Sequence, residues 1–211
     1  MHYPDLDMSD GLAEALKRRA SGLGLALDGL VEGFGRAVLV TDRGTVSISI
    51  AAQERGFGIA IYESGVEWTS GATEDLGKAL RAATAWQDGL PLDDYVSEFP
   101  FMNPGRLAHA FVAGRLAEAQ WQDLLDSEYH TGGQRLLVSL APFGELRRFY
   151  PEISYGELRF TMPPPRQDDR VFRVSRGGPG FHVEEPCPER REYNLDTLDE
   201  VARRIMEFFS G

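Results

Sequence analysis

The sequence predicts an α+β fold made of two copies of one unit, in which a helix, antiparallel strands and a second helix follow each other. The main observation is a repeat: ATEDLGKALRAATAWQDG (72–89) aligns without a gap with NLDTLDEVARRIMEFFSG (194–211). The aligned apolar positions have helical spacing: Leu76, Ala79, Leu80, Ala83 and Trp86 match Leu198, Val201, Ala202, Ile205 and Phe208. The second observation is that β-branched segments with glycine turns precede both copies. We therefore expect each helix to pack its apolar stripe on a sheet.

The first unit begins with a helix predicted over Ser9–Leu23, with Ser9 as its N-cap. RAVLVTDRGTVSISIAA (36–52) predicts two strands around a glycine turn. FGIAIYESGVEWTSG (57–71) predicts a second pair that turns at Glu63–Gly65. A helix follows at Thr73–Trp86, with Thr73 as the expected N-cap and Gly89 as its end.

The second unit repeats this order. After a helix at about Gln134–Leu140, GELRFTMP (156–163) matches GTVSISIA (44–51) in length and strand character. VFRVSRGGPGFHVEEP (171–186) then matches 57–71 as strand, glycine turn and strand. We predict that residues 36–89 and 156–211 share one topology of antiparallel strands followed by a helix.

Prolines at 91, 100 and 104 separate the two units. A long helix is predicted from near Gly105, and its broad apolar stripe indicates a core helix that bridges the units. The expected organisation is a first unit at 1–90, a bridging helical segment at 91–130 and a second unit at 131–211, which together can also form one compact domain. PPPRQDDR (163–170) is an exposed connection without a counterpart in the first half.

The cellular location is predicted from what the sequence lacks. No run of about 18 apolar residues is present, so no membrane span is expected. The start MHYPDLDMSDGLAEAL carries acids where a secretion signal carries bases and then an apolar stretch. Cys187 is the only cysteine, which excludes an internal disulfide and fits a reducing compartment. We expect a cytoplasmic protein.

The sequence contains no spacing typical of a phosphate-binding loop, a zinc protease, a paired-cysteine site or a nucleophile elbow. The histidines are scattered, and Cys187 lies between two prolines without a visible base. The glycine-rich SRGGPGF (175–181) fits a hairpin turn better than a phosphate cradle, which needs a following helix. We predict no catalytic residue, no metal site and no cofactor.

The charge balance bears on the partner. The chain has 33 acidic and 22 Lys and Arg residues, a formal charge of −11. Such a surface repels nucleic acid and anionic lipid and attracts basic proteins, although acidity also serves solubility alone. The predicted partner-binding residues are acids on loops and helix ends with one aromatic anchor: Asp93, Asp94, Tyr95, Glu98, Asp168 and Asp169.

Four segments carry a resemblance to a known family: EWTSGATEDLGKALRAATAW (67–86), EFPFM (98–102), AEAQWQDLL (117–125) and LRRFYPEISYGELRF (146–160). They resemble an uncharacterised actinobacterial family labelled "natural product biosynthesis protein", which is similar to some immunity proteins of polymorphic toxin systems. The resemblance covers most of the chain from about Glu67 to Gly211, and it supplies no catalytic residue.

Two functions from different classes remain open. The first is a non-enzymatic immunity-type inhibitor that occludes a basic protein such as a toxin. Acidic surfaces speed the association of such inhibitors with basic partners. The second is an accessory enzyme or small-molecule-binding protein of a biosynthetic cluster, for which a pocket with convergent polar groups is the expected sign. Monomer and homodimer are equally compatible with the sequence.

Overall fold

The computed structural model describes residues 3–128, 132–166, 169–186 and 190–210. The chain forms two compact units, Met1–Val112 (unit 1) and Ala113–Gly211 (unit 2). Each unit has its own antiparallel sheet and its own helices, which confirms the predicted α+β class. The segment 91–130, predicted as a bridge, is divided between the two units.

Unit 1 is a six-stranded antiparallel meander covered by helices. Its elements are α1 Leu12–Gly22, β1 Val31–Gly33, β2 Arg36–Val40, β3 Gly44–Ile50, β4 Phe57–Glu63, β5 Val66–Thr73, α2 Leu76–Gln87, α3 Leu92–Glu98, β6 Met102–Pro104 and α4 Ala108–Val112. The strands lie in sequence order from β1 to β6. Helix α1 packs on β1 and β2, and α2 packs on β4 and β5.

Alternation along the strands decides which face is covered. In β4 the side chains of Phe57, Ile59 and Ile61 are buried, as predicted, while the residues between them point to the other face. The hairpin from β4 to β5 turns where predicted, since Ser64 and Gly65 both have positive φ, 50° and 75°.

The first turns of α1 and α2 differ from the prediction. Helix α1 starts at Leu12 and not at Ser9, because a carboxylate from β1 caps it: Glu32 Oε2 accepts a hydrogen bond from Ala13 N at 2.8 Å. Asp75, not Thr73, is the N-cap of α2 and accepts from Lys78 N at 3.1 Å. Sequence alone offered two capping side chains close together at α2 and could not show the distant one at α1.

Unit 2 is a five-stranded antiparallel meander with helices on one side. Its elements are α5 Leu116–Asp126, α6 Gly132–Leu140, a 3-10 helix at Gly144–Arg148, β7 Tyr150–Ser154, β8 Glu157–Thr161, β9 Phe172–Gly177, β10 Gly180–Glu185, β11 Arg191–Leu195 and α7 Leu198–Ser210. The strands again lie in sequence order, from β7 to β11. Helix α6 packs on β7, β8 and β9, and α7 packs on β11.

The two units share one topology, as predicted. Residues 36–89 and 156–211 each form four antiparallel neighbouring strands followed by a helix. The detailed strand match was wrong by one strand, however: 156–163 forms β8, which takes the place of β2 and not of β3. The segment 171–186 likewise forms β9 and β10, in the places of β3 and β4. The error arose because the strands β1, β7 and β11 were not predicted from the sequence.

The predicted long bridging helix is instead two helices, α4 and α5. Gly114, between them, has a left-handed φ of 68°, a conformation that ends a helix and that side-chain-bearing residues avoid. The predicted core role of this segment holds in α5, where Trp121 is fully buried and its Nε1 donates to Phe149 O at 3.0 Å.

The helices of the original repeat have the predicted inner faces. In α2, Leu76, Leu80, Ala83 and Trp86 are all buried, and in α7 Ala202, Ile205 and Phe208 are buried while Leu198 is half-buried. Helix α7 is further fixed to the sheet by Arg204, which donates two hydrogen bonds to the buried carboxylate of Glu185 at 2.7 and 3.0 Å. Its first turn has a capping box: Thr197 N donates to Glu200 Oε2, and Glu200 N donates to Thr197 Oγ1.

We predict that Trp86→Ala and Phe208→Ala each lower the free energy of unfolding by about 3–5 kcal/mol, because each removes a large aromatic side chain from a packed core. Urea denaturation followed by circular dichroism measures the change. Phe34→Ala is the control, since this ring is fully exposed and its loss should change stability by no more than about 0.5 kcal/mol. Equal losses of stability in all three variants would contradict the buried positions of Trp86 and Phe208.

We also predict a pH dependence from the capping box of α7. Hydrogen bonds from the Thr197 backbone N–H and hydroxyl hold the pKa of the Glu200 carboxyl below its ordinary value of about 4.5. A lowered pKa means that the stabilisation is present above pH 4.5 and is lost as the pH falls through the folded-state pKa. Glu200→Gln should therefore reduce the loss of stability of unit 2 below this pH. Asp199→Asn, in the same helical turn, should leave the loss unchanged.

Candidate functional site

Three of the predicted partner-binding residues lie together on helix α3. Asp93, Asp94 and Glu98 are exposed on one side of the helix, and we call them the acidic α3 face. The opposite side anchors the helix through Leu92 and Phe99, which are buried. His109 of α4 is close by, with its Nδ1 3.8 Å from Asp93 Oδ1. The structure therefore gathers these carboxylates as a surface, which is compatible with long-range attraction of a basic partner.

Tyr95 is not the exposed aromatic anchor that the sequence predicted. It is fully buried, its hydroxyl donates to Ala82 O at 3.1 Å, and its ring packs against Trp68 and Phe99 at 5.0 Å from each. Burial raises the pKa of the Tyr95 phenol far above its usual range. The apolar spacing of Leu92, Tyr95 and Phe99 was a signal for this inward position.

The other two predicted residues follow β8 in unit 2. Asp168 lies outside the described residues. Asp169 is half-buried, and its Oδ2 accepts a hydrogen bond from Arg166 N at 2.6 Å, so that its side chain closes a local turn. The connection from β8 to β9 is longer than the equivalent connection from β2 to β3, which spans only 41–43. This agrees with the predicted absence of a counterpart in the first half.

The outer face of the unit 1 sheet, opposite to α1 and α2, carries unusually small side chains. The cross-strand pairs define two neighbouring rows on this face. The first row contains Arg36, Ser49, Gly58 and Ala72, and the second contains Val38, Ser47, Ala60 and Ser70. Exposed sheet faces usually carry β-branched or aromatic residues, for which these small side chains leave empty space.

All residues of these rows except Val38 line a trough with a volume of about 650 Å³. Phe34 and Arg36 stand at its end, at the turn between β1 and β2. The ring of Phe34 is fully exposed, and Gly35 beside it has a left-handed φ of 70°. Sequence alone does not indicate this site, because its residues come from four strands and the turn before them, and none belongs to a recognisable motif.

Apolar side chains are exposed along the same side of unit 1. Val31 and Val40 are 57% and 70% exposed, and together with Phe34 they form what we call the apolar edge. Val31 pairs with Val38 across the sheet, so that this edge continues onto the outer face. Phe34 precedes one end of β2 and Val40 is its other end, so the apolar edge follows the strand. Exposed apolar residues that occur together mark binding sites more often than single ones do.

The equivalent face of unit 2 has a different chemistry. A row of charged side chains crosses all five strands: Glu152, Arg159, Arg173, Glu184 and Glu192. At the turn between β7 and β8, in the place of Phe34, Tyr155 is also fully exposed and has a positive φ of 50°. A bulky residue rarely adopts this conformation without a functional or structural reason. The two copies thus share hairpin-tip aromatics but differ in their outer faces.

Within the described ranges, no group of three or more His, Cys, Asp or Glu residues is arranged to hold a metal ion. The part of the chain that the structure describes also contains no helix long and apolar enough to cross a membrane.

We predict that Tyr95→Phe lowers the free energy of unfolding of unit 1 by about 0.5–1.5 kcal/mol, because it removes one buried hydrogen bond. The Tyr95 phenol should also remain protonated at alkaline pH for as long as unit 1 is folded. Ultraviolet difference absorbance of the wild type and of Tyr95→Phe measures its ionisation. Tyr62→Phe removes a partly exposed phenol and is the control. If Tyr95 titrates like an exposed tyrosine, its burial is wrong.

Comparisons of the chain with protein-family models, with curated proteins and with solved structures found no significant match. Four surfaces of the chain are candidates for a functional role: the acidic α3 face, the apolar edge, the trough and the charged row of unit 2.

Proposed function

We propose that this chain is a non-enzymatic protein-binding module, an immunity-type inhibitor that occludes a basic protein such as a toxin. The observation that carries the proposal is the apolar edge of Val31, Phe34 and Val40, exposed on a unit that carries seven more acidic than basic side chains. Interfaces combine a desolvated apolar contact with complementary charges around it.

The two features have separate roles in this proposal. The apolar edge supplies the contact area that water leaves on binding, with Phe34 as the aromatic anchor in place of Tyr95. Asp93, Asp94 and Glu98 act through their charge, which attracts a basic partner over a distance of about 8–10 Å at moderate ionic strength. The charged residues should therefore change the association rate and the apolar residues the dissociation rate.

Helix α3 packs beside β6, whereas the apolar edge is formed by β1 and β2 at the opposite edge of the sheet. With about 4.8 Å between neighbouring strands, the two regions are on the order of 25 Å apart. At low salt, where the screening length reaches about 30 Å, charge can steer a partner over a surface of this size, so Asp93 and Asp94 need not contact the partner directly.

The test is binding of the purified chain to the proteins encoded beside its gene, with rates measured by biolayer interferometry at low and high salt. Asp93→Lys/Asp94→Lys should reduce the association rate at low salt by about tenfold or more, the order that electrostatic steering contributes. Phe34→Ser/Val40→Ser should instead raise the dissociation rate.

Glu54→Lys/Glu74→Lys is the matched control, because it makes the same change in net charge at exposed positions away from α3: Glu74 precedes α2, whereas α3 follows it. Equal effects of the two charge reversals would mean that only net charge matters and that the acidic α3 face has no special role. The proposal fails if none of the neighbouring proteins forms a complex that depends on the apolar edge.

A further inference from the structure

The floor of the trough in unit 1 is built from residues that strands normally avoid. Six positions on three adjacent strands carry only Ser, Gly or Ala: Ser47, Ser49, Gly58, Ala60, Ser70 and Ala72. Gly and Ala are weak strand formers, so local preference for β-structure does not explain this choice. The absence of side-chain bulk exposes a flat strip of backbone on the order of 10 Å wide, which is the spacing of three strands.

Gly58 has no side chain, and this keeps the floor of the trough low. A methyl group at Gly58 would lie 2.8 Å from Ser49 Oγ, closer than a normal contact. Ser49 and Gly58 are direct cross-strand partners, so that the hydroxyl occupies the space left by the glycine. A flat ligand can therefore approach the sheet here more closely than at a face covered with larger side chains.

Ser47 supplies a hydroxyl that faces the trough and has no hydrogen-bond partner among the described residues. It is only 7% exposed, lines the trough, and its hydroxyl makes no hydrogen bond with any described residue. Ser47 lies on the outer row between Val38 and Ala60, neither of which offers a polar side chain. The hydroxyl oxygen is not enclosed, so water reaches it in the free protein. A polar group of a ligand on the trough floor would replace that water.

Arg36 is the one charged residue among those that line the trough. It is exposed and forms no ion pair with a described carboxylate, although unit 1 carries an excess of acids. Its cross-strand neighbours are Gly33 and Ser49, so the guanidinium has no competing acid beside it on the sheet. A guanidinium binds a carboxylate through two parallel hydrogen bonds, which fixes both the position and the orientation of a ligand.

Phe34 adds an exposed aromatic ring at the end of the trough. It stands at the hairpin tip two residues before Arg36, where a planar ligand bound to the guanidinium can stack against it. The volume of about 650 Å³ lies within the range of sites for small molecules and exceeds what one aromatic ring needs.

We propose that this trough binds a flat aromatic carboxylate of low molecular mass. The ring lies over Ser49 with Gly58 beside it and Phe34 against it, the carboxylate pairs with Arg36, and a polar substituent at the far end of the ring hydrogen-bonds with Ser47. Arg36 and Ser47 are diagonal neighbours across β2 and β3, a separation on the order of 7–8 Å that a substituted aromatic acid spans. This goes beyond the proposed function, since the site needs no protein partner.

The probe is 6-hydroxy-2-naphthoate, which carries a carboxylate and a hydroxyl at opposite ends of a flat ring system. Titrated into the full ¹⁵N-labelled chain, it should shift the backbone amide signals of residues 34–36, 47–49 and 58–60. The neutral analogue 2-naphthol should bind at least about tenfold more weakly, because one charge-assisted pair contributes about that much.

Three variants test the named residues. Arg36→Gln should abolish the preference for the carboxylate, while Arg81→Gln, an exposed arginine on α2, should leave it intact. Ser47→Ala should weaken the binding of 6-hydroxy-2-naphthoate about two- to tenfold and leave the binding of 2-naphthoate unchanged. Thermal unfolding establishes that each variant is folded.

Signals that shift as expected and depend on Arg36 support the site. The proposal is overturned if the probes shift no signal, if the shifts lie elsewhere in the chain, or if Arg36→Gln retains the preference for the carboxylate.

Discussion

The packing of helices on one face of each antiparallel sheet is the constraint on which the rest of the structure depends. In unit 1, α1 covers β1 and β2, α2 covers the inward row of β4, and Trp86 at the end of α2 is fully enclosed. A sheet covered on one side leaves its other side to solvent or to a ligand. That uncovered side is where the small-residue floor of unit 1 and the charged row of unit 2 are found.

The core side of each unit is held in place by interactions that link elements distant in sequence. Arg43 follows β2 and donates to the carbonyl of Trp86 at 2.6 Å while its guanidinium lies 5.3 and 5.1 Å from the ring centres of Trp68 and Trp86. In unit 2, Arg204 fixes α7 to the sheet through the buried Glu185. Breaking such a buried pair leaves a carboxylate without its partner, which usually costs several kcal/mol, about 3–5 in comparable cases.

The two copies show how one topology can carry different surfaces. Both have a helix, five strands and a helix in the same order, and both place a fully exposed aromatic at the first hairpin, Phe34 and Tyr155. Most core positions in both are apolar, because close packing leaves little room for polar groups without partners. Outer positions have no such limit, so the same place in the fold holds Ser and Ala in one unit and Arg and Glu in the other. Differences in function between the units are therefore expected on the outer faces.

The sequence by itself determined the α+β class, the inner stripes of α2 and α7, and the shared order of strands, because periodicity of apolar residues directly reports which face is buried. It also determined that Asp93, Asp94 and Glu98 are exposed. Only the tertiary structure decided the inward position of Tyr95, the capping of α1 by Glu32 and the break at Gly114. It alone brought Arg36, Ser47 and Gly58 onto one surface. The physical reason is that these features depend on contacts between strands and helices far apart in the chain, where local preference carries no information about partners.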